Sequence, residues 1–155
     1  MTSRRDFLSK IALTSSVMVA SPVVMRPALA AKDPVYTSWG VAIRGTDPVA
    51  YFTENRPVKG KKEFSFVYDG AEFRFSSAEN LAKFQASPEA YAPQYGGYCA
   101  WAVSLGYTAS TVPEAFSIVD GKLYLNYSLG VRSQWEADRD NRIILADRNW
   151  PDVLQ

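Results

Sequence analysis

Residues 64–75, Phe64-Ser65-Phe66-Val67-Tyr68-Asp69-Gly70-Ala71-Glu72-Phe73-Arg74-Phe75, decide the fold. Every second side chain is apolar on either side of an Asp-Gly pair, as a strand with one buried face requires. The pair supplies two successive residues that tolerate positive φ, which a two-residue type I′ turn needs. Residues 116–127, Phe116-Ser117-Ile118-Val119-Asp120-Gly121-Lys122-Leu123-Tyr124-Leu125-Asn126-Tyr127, follow the same grammar around Asp120-Gly121. Two β-hairpins are therefore predicted.

Each hairpin runs into a helix start. Ser76 and Glu79 have the spacing of a capping box, and Leu81 and Phe84 then fall on one face. Ser128 opens a longer pattern marked by Val131, Trp135, Ile143 and Ala146, ending near Trp150-Pro151. Residues 138–142 are polar enough to break that pattern into two helices. Shorter helical turns are expected at Asp47-Pro48, with Asp47 as N-cap, and at Ser87-Pro88, each with proline at the first helical position, and a loop from Pro93. Gly96-Gly97 precedes a helix expected over residues 98–105, Gly106 is its stop, and residues 106–113 read as loop. The predicted class is α+β: a small domain in which two antiparallel hairpins form a sheet and helices pack around it.

The N-terminus has a different character. Arg4-Arg5, a short apolar run, Arg26 and the Ala28-Leu29-Ala30 cleavage site read as a twin-arginine export signal at residues 1–30, with periplasmic delivery of one domain at 31–155. The whole chain carries 17 Lys and Arg against 16 Asp and Glu. Residues 1–30 hold Arg4, Arg5, Lys10, Arg26 and Asp6, so cleavage leaves 13 basic against 15 acidic residues and a net charge near −2. That balance gives no reason to expect nucleic acid as a partner. No apolar run after the signal approaches the roughly 20 residues of a membrane helix.

There is one cysteine, Cys99, and no histidine. Exported proteins tend to carry cysteines in pairs, so a lone thiol is either a small packed residue or a reactive group. In the first turn of a helix, Cys99 would meet unpaired N–H groups that lower a thiol's pKa, and Gly96-Gly97 would permit close approach. Packed against Ala102 and Val103, it would be inert. Both readings stand. Tyr98, Trp101 and Leu105 form the other stripe of the same helix and suit a core.

Asp47-Pro48-Val49, then Gly70-Ala71-Glu72-Phe73-Arg74-Phe75-Ser76-Ser77, Phe84 and Pro88-Glu89-Ala90-Tyr91 resemble the YHS domain. The wider match, through residues 91–100 and 120–127, resembles an exported branch of YHS proteins, some with selenocysteine at the position of Cys99. The resemblance implies chemistry at Cys99. In metal-handling YHS modules it also implies thiols where this chain has Ala50, Ser76 and Asn80, and one cysteine cannot replace that set.

The reading that follows is a periplasmic YHS-family binding or sensing module. Cys99 is its candidate reactive group, engaging a soft metal ion such as copper or an oxidant. Tyr98, Arg44, Asp47, Lys122 and Asn126 are candidate ligand-binding residues: Arg44 and Asp47 as a pair beside a pocket, Lys122 and Asn126 as one strand face near the thiol. The partner is an unknown small ligand or protein. A thiol oxidoreductase acting through Cys99 and a structural domain with an inert cysteine are the alternatives.

Overall fold

Both Asp-Gly pairs turn with positive φ at both residues: 48° and 80° at Asp69 and Gly70, and 50° and 72° at Asp120 and Gly121. The computed structural model describes residues 30–155. The predicted export signal, but for its last residue, lies outside them.

Two two-residue strands, β1 (Thr37–Ser38) and β2 (Val41–Ala42), come first, followed by the short helix α1 (Ala50–Thr53). The first predicted hairpin is β3 (Lys61–Tyr68) and β4 (Ala71–Phe75), with Tyr68 opposite Ala71 and Phe66 opposite Phe73. Parallel pairing of Val41 with Glu72 joins β2 to β4 and completes a sheet of order β1-β2-β4-β3. Helices α2 (Ala78–Ala86), α3 (Pro88–Tyr91) and α4 (Ala100–Ser104) follow. The second hairpin, β5 (Phe116–Val119) and β6 (Lys122–Leu125), precedes α5 (Leu129–Ala137) and α6 (Arg139–Asn149), divided at Asp138 as the polar stretch predicts. No helix among the described residues is long and apolar enough to cross a membrane.

The α+β class holds, with one correction: the hairpins do not share a sheet. The β5–β6 ribbon is a separate two-stranded sheet, and its alternation explains why. Leu123 and Leu125 enter a cluster with Phe73, Phe75, Phe84 and Tyr51, whereas Tyr124 enters a second with Trp135, Tyr95 and Val103. Successive side chains of a strand point to opposite faces, so a ribbon buried on both faces has apolar partners in two directions. The ribbon thus lies between two cores.

Two helix starts shift from their predicted places. Ser77, not Ser76, caps α2, its Oγ accepting the Asn80 N–H at 3.2 Å. The helix expected from residue 98 begins at Ala100, because Tyr95, Gly96 and Gly97 take positive φ and Tyr98 is extended. Gly106, at φ 88°, ends α4 as predicted, its N–H bonding to the Val103 carbonyl.

Candidate functional site

Asp47 is fully buried and gathers the first half of the chain. Its Oδ1 accepts the N–H groups of Val49 (2.8 Å) and Ala50 (3.3 Å), which is the capping role its place before Pro48 predicts. Its Oδ2 accepts from the Ser76 N–H (2.8 Å), the Ser76 hydroxyl (2.7 Å) and Asn80 Nδ2 (2.8 Å). A buried carboxylate needs its lone pairs filled, and this one receives five hydrogen bonds. Arg44 is exposed and is not among its partners, so the expected Arg44–Asp47 pair does not form.

Cys99 stands just before α4, at its N-cap position and not inside a first turn. Its backbone is fixed on both sides: its N–H donates to the Ala109 carbonyl and its carbonyl accepts from Val103 N–H, both at 3.0 Å. The side chain is 1% exposed. The thiol faces Asn126 Oδ1 at 3.7 Å, and the same oxygen accepts the Trp101 N–H at 3.1 Å. Asn126 follows Tyr124 by two residues, so strand alternation turns it toward α4. It is fully buried, and its Nδ2 has no partner among the described residues.

Burial pushes the Cys99 thiol above the ordinary thiol range. The N–H groups of Ala102, Tyr127 and Trp101 act the other way but do not reverse it. The expectation of a thiol made acidic by a helix start is therefore corrected: at neutral pH this side chain is a protonated S–H. Its helix is only five residues long and offers little macrodipole.

Cys99 nevertheless lines a cavity of about 280 Å³, with Trp101, Ala102, Tyr107, Ala109, Tyr127 and Val131. Tyr107 and Tyr127 are 49% and 54% exposed, so both rings reach solvent while lining the recess. Behind it, the Arg142 guanidinium lies 4.0 Å from the Trp101 ring centroid, and Asn149 Nδ2 donates to the Val103 carbonyl at 2.8 Å. These contacts tie α4 to α6.

Of the predicted site residues, the fold brings Asn126 to Cys99 and keeps the others apart. Lys122 is exposed at the turn end of β6, four residues from Asn126, about 13 Å at strand rise. Tyr98 is a core residue, its hydroxyl donating to the Asp33 carbonyl at 2.9 Å and its ring packed near Tyr36 and Trp150. Sequence reasoning missed Tyr107 and Tyr127. Tyr127 ends the hairpin pattern one residue past Asn126, and two large aromatics beside a loop and a strand end were the available signal.

The geometry defines an α+β module with an apolar recess over a buried thiol. Comparison with known families adds one assignment: residues 49–95 match the YHS domain, so the chain carries a YHS domain there. No curated protein and no solved structure matches the chain. Cys99, Asn126, Tyr107 and Tyr127 all lie beyond the matched span.

A YHS domain is consistent with a metal-binding module. The residues present here do not fit a soft metal ion. Ala50, Ser76 and Asn80 do converge on Asp47, but through a backbone N–H, a hydroxyl and an amide N–H, three of the five hydrogen bonds that carboxylate accepts, and none of their side chains carries a sulfur. Among the described residues no group of three or more Cys, His, Asp or Glu side chains could hold a metal.

Proposed function

We propose that this chain acts after export, as a periplasmic binding or sensing module whose ligand site is the recess over Cys99. Support for export comes from Arg4-Arg5, the apolar run and the Ala28-Leu29-Ala30 site. The observation that carries the site is that the single thiol lines a cavity whose lining includes two half-exposed tyrosines. The walls are mostly apolar, so the ligand class is a small apolar or aromatic molecule, with the S–H, and not a thiolate, as the polar contact.

Native protein treated with methanethiosulfonates of growing size tests this. Methyl methanethiosulfonate is expected to label Cys99 in the folded state, slowly because the thiol is protonated, and reagents too large for about 280 Å³ are expected to fail. Cys99→Ser controls for specificity. Absence of labelling by every reagent until denaturation would remove the reading.

The alternative favoured by a separate observation is an inert packed cysteine, since the side chain is 1% exposed. The same reagents decide between them. An oxidoreductase working through a resting thiolate is the reading this environment supports least, because burial holds the proton on.

A further inference from the structure

A second cavity, of about 420 Å³, is lined partly by the YHS segment and lies where the two cores meet. Its aromatic walls come from both: Tyr68 and Phe73 from the first hairpin, Tyr95 and Trp150 from the second cluster. Tyr68 and Phe73 meet at 63° with centroids 6.2 Å apart, and Tyr95 and Trp150 at 59° and 6.0 Å. Tyr95 is pinned by its hydroxyl, which donates to Asp147 at 2.8 Å, and Trp150 N–H donates to the Ala146 carbonyl at 2.9 Å.

The charge of the lining is one-sided. Asp69 and Glu89 line the cavity, and no lysine or arginine does. Neither carboxylate has an ion-pair partner among the described residues, although six other acids do. The Tyr68 hydroxyl is pushed up, first by burial and then by Asp69 and Glu89, and all three residues line the same cavity. Aromatic faces carry negative quadrupole potential, and together with two unpaired carboxylates they complement a positive charge with an apolar shell.

We propose that this cavity binds a small organic cation of the alkylammonium class, held over the Tyr68 and Trp150 rings and opposite Asp69 and Glu89. Its backbone is set in advance. The Tyr36 N–H donates to the Gly96 carbonyl at 2.9 Å and the Lys32 N–H to the Leu154 carbonyl at 2.7 Å, which fastens the Pro34–Val35 wall to the other side.

The test is titration of the full chain with choline, and with its uncharged isostere 3,3-dimethyl-1-butanol, followed by amide and indole chemical shifts. Choline is expected to give saturable shifts at Asp69, Glu89, Gln94 and the Trp150 indole, and the isostere to bind about tenfold more weakly. The double variant Asp69→Asn, Glu89→Gln should weaken choline binding by about tenfold as well. Both side chains are exposed and asparagine tolerates the left-handed turn conformation, so its fold should be unchanged by circular dichroism. Equal affinity for choline and its isostere, full affinity in the double variant, or no saturable shift with choline would each overturn the proposal.

Discussion

Asn126 Oδ1 receives the Trp101 N–H at 3.1 Å and the Cys99 S–H at 3.7 Å, while Nδ2 on the same amide has no partner among the described residues. Replacement by alanine would strand the Trp101 N–H in a partly buried position, a penalty of about 1–3 kcal/mol. Asn126→Ala is accordingly expected to destabilise by that amount in urea unfolding and to speed Cys99 labelling. The thiol also makes stability depend on pH. Its folded pKa is raised, so its contribution is complete below the ordinary thiol range and is lost as pH climbs toward the folded value. Wild type should therefore lose stability relative to Cys99→Ala as pH rises through and above that range, and labelling of native protein should keep accelerating there. At this scale the sequence was readable where the cause is local. Asp47 capping its own helix follows from Asp-Pro, but its bonds to Ser76 and Asn80, 29 and 33 residues away, depend on how β4 and α2 return to it.

The two hairpins were legible because a type I′ turn is decided by two adjacent residues, Asp69-Gly70 and Asp120-Gly121. The turn before Cys99, which delays α4 to Ala100, was not. Tyr95, Gly96 and Gly97 have positive φ in succession, and that turn is set by a distant segment: a Cβ added at Gly96 would lie 1.9 Å from the Pro34 carbonyl oxygen. Gly96 is thus the point where the chain entering at Pro34 touches the loop leading to α4. Gly96→Ala combines a clash with backbone and a φ of 59°, and is expected to cost about 1–3 kcal/mol. Amide exchange should quicken first at Tyr36, whose N–H bonds to Gly96, while exchange in β3 and β4 changes little. The recess itself was illegible for a related reason. Residues 106–113 have no period, and the loop, with Tyr107, is placed by bonds to other segments: Cys99 N–H to the Ala109 carbonyl, Tyr107 N–H to the Ala102 carbonyl, Val112 N–H to the Asn126 carbonyl and the Thr111 hydroxyl to the Gly97 carbonyl.

Across the whole molecule, β6 serves both clusters, with Leu123 and Leu125 in one and Tyr124 in the other. Loss of either core removes half the burial of that strand, so the described residues should unfold together. Assignment of the hairpins to one sheet failed here, because alternating apolar residues give the faces of a strand but not which neighbour covers each. The YHS match at residues 49–95 takes in α1, β3, β4, α2 and α3, whereas the thiol recess is built from Cys99 and α4, the loop after it, Tyr127 just past β6 and Val131 of α5. Shared unfolding supplies the sharpest test of that recess. The rate at which methyl methanethiosulfonate modifies Cys99 should be measured at increasing urea below the unfolding transition. Entry through the native cavity predicts a rate nearly independent of urea until the transition begins. A rate that rises from the lowest urea with the slope of global unfolding would mean the sulfur is reached only in the unfolded chain, and would contradict the assignment of a ligand site there.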